Sequence, residues 1–215
     1  MKLQVLIAEE RHTFYAHQIT TAIEIAARER GTGIARRSPE YIVTKIKENK
    51  AVIALEDDKL AGFCYIETWS HEKYVANSGL IILPGYRKSG LAKLIKAKAF
   101  EHSRKKYPEA KIFGITTSLP VMKINADLGY RPVTFSELTT DEAFWKGCQS
   151  CPNYDILTRT NRSHCLCTGM VYDPAREAKA VRKTGLKERW QQFKQFLARK
   201  KPVQQKNETQ EPAKH

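Results

Sequence analysis

The chemistry of this chain begins with a short basic turn that follows an apolar strand and precedes a helix. The turn reads Arg87-Lys88-Ser89-Gly90-Leu91-Ala92, with Lys93 directly after it. A glycine in such a turn exposes backbone N–H groups at a helix N-terminus, where the helix dipole favours phosphate oxygens. The turn lacks the Gly-Lys-Ser/Thr ending of a P-loop and the three glycines of a dinucleotide fingerprint. The sequence therefore predicts a different kind of phosphate or pyrophosphate site.

A second chemical feature is a group of four cysteines in the segment 148–167. Cys148 and Cys151 form one close pair, and Cys165 and Cys167 form another after thirteen intervening residues. Two close pairs of thiolates supply the four ligands of tetrahedral zinc, so the spacing predicts a structural zinc site. His164 is an alternative ligand. The other interpretation is a set of reduced thiols that pack as small apolar residues.

Alternating and helical apolar periods outline the elements that position these residues. Strands are predicted at 5–8, 51–55, 60–68, 76–83, 111–116, 131–135 and 166–172, and helices at 12–30, from 38 onwards, at 90–106 and at 120–128. Ser38 is the predicted N-cap of the second helix, and residues 57–59 form the turn of a hairpin. This order predicts a mixed α/β (α+β) fold with a central sheet flanked by helices.

Charge and composition restrict the class of protein. The chain of 215 residues carries a net charge of +14. Its odd number of cysteines argues against a disulfide framework and favours a reduced, cytoplasmic protein. No apolar run is long enough to span a membrane, and the N-terminus lacks the features of a signal peptide.

Much of the positive charge lies near the C-terminus, where residues 176–215 hold 12 Lys and Arg against 4 Asp and Glu. A basic amphipathic helix is predicted at 175–200, with an apolar stripe of Leu186, Trp190, Phe193 and Leu197. We expect this stripe to dock on the chain's own domain or on a second copy in a homodimer. Nucleic acid is an alternative partner that we do not favour, because the interleaved aromatic platforms of single-strand binders are not evident. Residues 201–215 are predicted to be disordered.

The turn and its surroundings resemble the coenzyme A motif of the GNAT acetyltransferase superfamily. The shared pattern is Arg87-x-x-Gly90-x-Ala92 after an apolar strand and Pro84, and residues 128–130 are similar to the end of a later helix in that family. The order of elements over residues 3–135 is similar as well. The resemblance implies an N-acyltransferase that uses acetyl-CoA or another acyl-CoA, such as succinyl-CoA.

This resemblance also implies a gap between the strands 76–83 and 111–116 in which the pantetheine arm lies. The backbone of Ile81, Ile82 and Leu83 is then expected to face the thioester. A substrate amine attacks the acyl carbon directly, and a strand N–H polarises the thioester oxygen.

The motif leaves the acid and the base open. Asn125 occupies the position where many members of the family carry a tyrosine general acid. An amide can donate a hydrogen bond to a departing thiolate but cannot protonate it. Glu67, His71 and Glu72 are the candidates for the base, with relay through water as the alternative. Glu67 and Asn125 are therefore the catalytic candidates.

Two further segments resemble N-acetylglutamate synthases and related amino-acid N-acetyltransferases. Residues 31–42 are similar to the opening of their acetyltransferase domain, and residues 144–152 to the C-terminal Trp-Lys-x-Cys-x-x-Cys-Pro segment of short members. They imply an amino-acid substrate, with glutamate favoured, at the first step of arginine biosynthesis. Arg36 and Arg37 are candidates to bind its carboxylate, unless both are surface residues at a helix start.

The organisation that follows is an acyltransferase domain at 1–174, which includes a Cys-rich element at 145–170, then the basic helix 175–200 and the tail 201–215. Two alternative functions keep some of these features. One is an enzyme of the same fold that acts on a protein or another amine. The other is a non-enzymatic, zinc-bearing protein that binds nucleic acid or a partner.

Overall fold

A computed structural model of the chain describes residues 2–31, 36–178, 187 and 190–195. Contacts divide the chain into a first unit at 1–174 and a second at 175–215. The strands of the first unit are β1 (Leu3–Ile7), β2 (Ala51–Glu56), β3 (Lys59–Trp69), β4 (Tyr74–Ile82), β5 (Lys111–Thr116), β6 (Arg131–Val133) and β7 (Thr168–Tyr172). Its α-helices are α1 (Ala16–Arg30), α2 (Pro39–Lys47), α3 (Leu91–Lys106), α4 (Leu119–Asp127), α5 (Glu142–Lys146) and α6 (Tyr154–Arg159).

The seven strands form one sheet in the order β1-β2-β3-β4-β5-β7-β6. Neighbours are antiparallel except β4 and β5, which are parallel. The parallel pair follows from the connection between them, because α3 carries the chain back across the sheet before β5 begins. The mixed sheet flanked by helices confirms the predicted fold class.

Side chains alternate between two apolar layers on opposite faces of the sheet. On β2, Ile53 packs in the layer under α1 and α2, whereas Val52 and Ala54 pack in the layer under α3. On β5, Ile112 lies in the layer beneath α3 and α4, and its neighbour Phe113 lies in the layer that α5 and α6 cover. The period of two in the strand sequences therefore places helices on both faces.

The helix boundaries follow local chemistry. The Ser38 hydroxyl accepts a hydrogen bond from the Tyr41 backbone N–H at 3.3 Å, which confirms the predicted N-cap of α2. The predicted helix 12–30 instead begins as a 3-10 turn over Glu10–Tyr15, and α1 starts only at Ala16. The chain between β6 and β7, interpreted above as a Cys-rich insertion, contains the short helices α5 and α6.

In the second unit, the described residues 190–195 are helical, and Trp190 and Phe193 stack with ring centroids 5.7 Å apart. The predicted stripe residues Leu186 and Leu197, and the tail 201–215, lie outside the described residues. Among the residues that the structure describes, no helix is both long and apolar enough to cross a bilayer.

Candidate active site

A cavity of about 450 Å³ lies where β4 and β5 stop pairing. The parallel ladder joins residues 74–76 to residues 111–113 and ends there. β4 nevertheless runs on to Ile82, and β5 to Thr116. Residues 76–80 and 114–116 of the two diverging strands line the cavity. The gap that the sequence predicts between these strands is therefore present.

The β4 wall of the cavity is shaped by a bulge at Gly79. The register of β4 against β3 shifts between Phe63 and Tyr65. Gly79 has a left-handed φ of +64°, and a Cβ at this position would lie 2.1 Å from the Cε1 atom of Tyr65. A side chain would therefore need both an unfavourable backbone conformation and space that the tyrosine ring already fills. The glycine is thus required where the strand turns along the cavity.

Next to this wall, a cation, a carboxylate and two phenols form one cluster. The Arg37 Nε donates a hydrogen bond to the Tyr65 hydroxyl at 3.0 Å, and its Nη2 lies 3.7 Å from the Glu67 carboxylate. The Tyr41 hydroxyl donates a short hydrogen bond to the same carboxylate. The guanidinium also lies 4.9 Å from the centroid of the Tyr41 ring. All four side chains line the cavity.

The cluster has a defined charge state. Burial raises the pKa of Tyr41 and of Tyr65, and the nearby Glu67 carboxylate raises both further. Burial lowers the pKa of Arg37, but the two phenols and Glu67 outweigh it, so the net shift is upward. The tyrosines therefore stay protonated at neutral pH and Arg37 stays cationic. The Tyr41 hydroxyl is consequently a fixed donor to the carboxylate.

The structure shows which of the catalytic and substrate-binding candidates from the sequence line the cavity and which do not. Glu67 and Arg37 lie together in the cavity, although they come from different predicted elements. Arg36 is exposed, and its backbone carbonyl accepts a hydrogen bond from the Arg37 side chain at 3.1 Å. His71 and Glu72 are exposed in the turn between β3 and β4 and do not line the cavity.

The predicted phosphate turn follows β4 and one 3-10 turn at Pro84–Tyr86. Lys88 and Gly90 both have left-handed φ angles, +64° and +83°. Gly90 is the N-cap residue of the 16-residue helix α3. Because glycine has no side chain, the N-cap residue does not accept a hydrogen bond from the first backbone N–H groups of the helix. Nothing lies within 4 Å of a Cβ built on Gly90, so the space above the turn is open.

Basic side chains flank this turn in weak surface pairs. The Arg87 Nη2 lies 3.0 Å from Glu29, and the Lys93 Nζ lies 2.9 Å from Asp127. Exposed pairs of this kind contribute little to stability, so both cations can be redirected to a bound anion at small cost. The predicted cofactor residues Ile81, Ile82 and Leu83 lie on the chain between this turn and the cavity-lining part of β4.

Asn125 of α4 is buried next to the β5 wall. Its Nδ2 lies 3.8 Å from the Met170 sulfur and 4.0 Å from a Cβ built on the cavity-lining Gly114. Its Oδ1 is buried without a hydrogen-bond partner in the described structure. An unsatisfied amide atom at a buried site costs about 1–3 kcal/mol, which a polar group of a bound ligand would remove.

The four cysteines all line the same cavity. Burial, together with a smaller contribution from the neighbouring thiols, raises the pKa of Cys148 to about 11 and that of Cys167 to about 12. However, no group of three or more His, Cys, Asp or Glu side chains among the described residues is arranged to hold a metal ion. The predicted zinc site with Cys148, Cys151, Cys165 and Cys167 is therefore not supported. Cys148, Cys165 and Cys167 pack against the apolar side chains around Trp145.

Among the cavity residues that were not identified from the sequence, Tyr41, Tyr65 and Lys96 carry polar groups next to the proposed chemistry. Two of them carry a signal that the spacing contains. Tyr65 precedes Glu67 by two residues on β3, so both side chains lie on the same face of the strand. Tyr41 lies in the first turn of α2, and Arg37 directly precedes the N-cap of this helix, so both lie at its start. Lys96 interrupts the buried side of α3, where an apolar residue is expected.

Comparison with known proteins identifies the fold and its chemistry. Residues 20–120 match the sequence profile of the acetyltransferase (GNAT) family. The chain therefore contains a GNAT acetyltransferase domain in this region. It is accordingly an acyl-CoA-dependent N-acetyltransferase, which confirms the resemblance drawn from the turn at residues 87–92. A search of curated protein sequences finds no match.

Solved structures support the same fold. N-acetylglutamate synthase from Neisseria gonorrhoeae, complexed with coenzyme A and N-acetyl-glutamate, is similar at a TM-score of 0.58 and 18% identity over 80% of this chain and 35% of that chain. Rv2747 from Mycobacterium tuberculosis, in complex with CoA and a second ligand, is similar at a TM-score of 0.56 and 15% identity. The match covers 79% of this chain and 98% of that chain. The yncA protein from Salmonella typhimurium, with its cofactor acetyl-CoA, is similar at a TM-score of 0.55 and 10% identity. The match covers 81% of this chain and 95% of that chain.

At these identities the likeness concerns the fold. The chain spans about a third of the gonococcal synthase and almost all of the mycobacterial protein. The matching structures that contain CoA or acetyl-CoA agree with the acyl-CoA chemistry of the family.

Proposed function

We propose that this GNAT enzyme transfers an acetyl group from acetyl-CoA to the amino group of an amino acid, with glutamate as the first candidate. The observation that carries the proposal is the pairing of Arg37 and Glu67 inside the cavity at the β4–β5 gap. An amino acid carries an ammonium group and a carboxylate a short distance apart. A guanidinium beside a carboxylate offers a partner to each of them.

Arg37 retains the capacity to bind a carboxylate. A guanidinium has five N–H donors in a planar fork. Its described contacts are the Tyr65 hydroxyl, the Arg36 carbonyl and, at a longer distance, Glu67. The remaining donors can face a substrate carboxylate in the cavity, where burial strengthens the interaction.

Glu67 is the group best placed to accept the proton of the amine. It is largely buried, it lines the cavity, and the Tyr41 hydrogen bond fixes the orientation of its carboxylate. A positioned carboxylate can take a proton directly or through one water molecule before the amine attacks the acyl carbon. The bulge at Gly79 exposes the adjacent β4 backbone, which supplies the N–H for the thioester oxygen.

The acyl donor fits the opposite end of the site. Its pyrophosphate would lie on the open N-terminus of α3, at Lys88–Ala92, with Arg87 and Lys93 alongside. The pantetheine arm would then follow Ile81–Leu83 into the gap. A larger donor such as succinyl-CoA would need the same turn but more of the cavity.

The likeness to the gonococcal synthase, which was solved with N-acetyl-glutamate, supports an amino-acid acceptor. The net charge of +14 also favours an anionic acceptor such as glutamate over a cationic polyamine. The place of the reaction at the first step of arginine biosynthesis, and a cytoplasmic location, are part of this proposal.

The test is a thiol-release assay with acetyl-CoA and succinyl-CoA against each of the twenty amino acids. We expect release with glutamate and acetyl-CoA. For Arg37→Met the KM of the amino acid should rise by about 10–100-fold, because a charge-assisted contact contributes about 1.5–3 kcal/mol. For Glu67→Gln kcat should fall by about 100-fold or more.

The matched control is Arg28→Met, which removes an exposed arginine of α1 whose partner is Glu24 on the surface. Its kinetic constants should equal those of the unmodified protein. Release with no amino acid, or an Arg37→Met variant with an unchanged KM, would contradict the proposed acceptor. A protein amine would then be tested as the substrate.

A further inference from the structure

One charged side chain lies inside the cavity without a role in the proposed acceptor site. Lys96 is in the second turn of α3, it is only 2% exposed, and it lines the cavity. Its neighbours on the buried side of the helix are Leu91, Ile95 and Ala99. A buried lysine in an apolar helix face costs stability, because the ammonium group loses its hydration. Its presence therefore calls for a ligand or a function.

The surroundings of Lys96 contain no compensating carboxylate. No acidic side chain of the described residues forms an ion pair with its Nζ. The nearby groups are the Tyr130 ring, with its centroid 5.6 Å from Nζ, and the Cys64 thiol. Burial lowers the pKa of Lys96, and Cys64 raises it only in part. The site thus provides a buried amine whose pKa lies below that of a free lysine.

We propose that Lys96 is the proton donor to the sulfur of coenzyme A as it leaves the acyl group. The proposal rests on acyl-CoA occupying the cavity, which is the site proposed above. It fills the role that Asn125 cannot, because an amide has no proton to give to a thiolate. The geometry that points to Lys96 is its position in the β4–β5 gap, opposite the cluster of Arg37 and Glu67.

The length of α3 agrees with this placement. Lys96 is the sixth residue of the helix, so its Cα lies about 9 Å along the axis from the Gly90 turn. The pyrophosphate end of the donor is expected at that turn, and the thioester end is expected deeper in the gap. A lysine side chain that points from this position into the cavity reaches the reacting end of the donor and not its phosphates.

The step balances without a further reagent. The amine nitrogen forms a bond to the acyl carbon, and the carbon–sulfur bond breaks with its electron pair remaining on sulfur. The ammonium group of Lys96 transfers one proton to that sulfur, and the amine loses its proton to Glu67 or water. After the products leave, Lys96 regains a proton from solvent and Glu67 releases its proton to solvent, so both side chains return to their starting protonation states. The amide and free coenzyme A are the products.

The test measures the thiol of bound coenzyme A and needs no acceptor. The protein is titrated with coenzyme A. The pKa of the bound thiol is then taken from the ultraviolet absorbance of the thiolate, measured between about pH 5 and about pH 10. The same protein with desulfo-coenzyme A is subtracted, so that the protein's own cysteines cancel. A cation within about 4–6 Å lowers such a pKa by about 1–3 pH units. We expect a lowered pKa in the unmodified protein.

Two variants separate the role of the charge from that of the side-chain volume. Lys96→Met keeps an unbranched apolar stem and should return the pKa of the bound thiol by at least about one pH unit towards that of free coenzyme A. Lys96→Arg keeps the charge and should preserve the lowered value. The matched control is Lys98→Met, because Lys98 pairs with Glu101 on the surface of α3 and should leave the thiol unaffected.

The outcomes are distinct. If the unmodified protein does not bind coenzyme A, the cavity is not the acyl-CoA site and the proposal falls with it. If coenzyme A binds but its thiol has the pKa of the free molecule, only the role of Lys96 is refuted. The same holds if Lys96→Met binds coenzyme A with an unchanged lowered pKa. If Lys96→Met does not fold, the unmodified protein and Lys96→Arg still decide the question.

Discussion

Replacement of Gly79 by alanine tests whether the bulge in β4 shapes the active site. The new Cβ would meet two separate costs. The first is the left-handed φ of +64°, which costs an L-residue about 1–2 kcal/mol. The second is overlap with the Tyr65 ring, whose Cε1 would be 2.1 Å away. Overpacking of this kind costs about 1–3 kcal/mol, so the free energy of unfolding should fall by about 2–5 kcal/mol in total.

Gly31→Ala is a matched control for the first cost. Gly31 also has a left-handed φ, +62°, but no atom of the described residues lies within 4 Å of its added Cβ. Urea unfolding followed by tryptophan fluorescence should therefore show a loss of about 1–2 kcal/mol for Gly31→Ala and about 1–3 kcal/mol more for Gly79→Ala. Equal losses in the two variants would refute the close approach of Tyr65.

The overlap also predicts a functional effect, because the only way to accommodate the new Cβ is to move the Tyr65 ring. That ring carries the hydroxyl to which Arg37 donates. In Gly79→Ala we expect a raised KM for the acceptor, with the affinity for coenzyme A largely retained. A protein that is destabilised but has an unchanged KM would show that Tyr65 does not position Arg37.

Three other predictions follow from buried or strained groups. Gly90→Val should lower the affinity for coenzyme A by at least about 10-fold in calorimetry, because a side chain enters the anion site at a φ of +83°; unchanged affinity would remove the turn from that site. Tyr130→Phe deprives the Asn77 Oδ1 of its 3.1 Å donor and should lower the free energy of unfolding by about 1–3 kcal/mol in urea, and no loss would contradict this bond. Alkylation of Cys148 and Cys167, followed by mass spectrometry, should accelerate with pH up to about 11 and about 12, because burial favours their protonated forms. A plateau near neutral pH would instead indicate stabilised thiolates, as in a metal site.

The elements that the sequence predicts well are those with a long, regular apolar period. α3 is predicted at 90–106 and observed at Leu91–Lys106, and the strand 111–116 is observed unchanged. In both elements, apolar residues recur over enough positions for the buried side to be recognised from the sequence. α5 and α6, by contrast, have five and six residues, which is less than two helical turns, so no period can develop.

The site shows a similar division. The phosphate turn is visible in sequence because its backbone chemistry depends on local residues, above all Gly90. The cluster of Arg37, Tyr41 and Glu67 is not visible as a cluster, because it joins the start of α2 to the end of β3 through tertiary packing. Residue types and spacing could identify two of its members but not their contact.

The cysteines illustrate a different limit. The spacing of the cysteines in the sequence indicates which thiols can lie close together. Zinc binding also requires that the thiols are deprotonated and occupy tetrahedral positions. In this fold Cys148 and Cys167 pack among apolar side chains, and burial raises the pKa of both, which favours the thiol over the thiolate. The environment of these thiols is built by α5, α6 and β7, and the packing of these elements is not encoded in the cysteine spacing.

The gap between β4 and β5 explains how the proposed proton acceptor, Glu67, and the proposed proton donor, Lys96, can both reach the acyl group although they lie on opposite faces of the sheet. A continuous ladder of hydrogen bonds separates the two faces of a sheet. Here the ladder ends at Ala76, and the cavity beyond it is lined from one face by Glu67 and from the other by Lys96. An amine that loses its proton on the first face and a thiolate that gains one on the second would then lie on opposite sides of the acyl carbon. This arrangement gives the nucleophile and the leaving group separate proton-transfer partners around one acyl carbon. If the strands paired along their full length, the same side chains would be present but would be separated by the sheet.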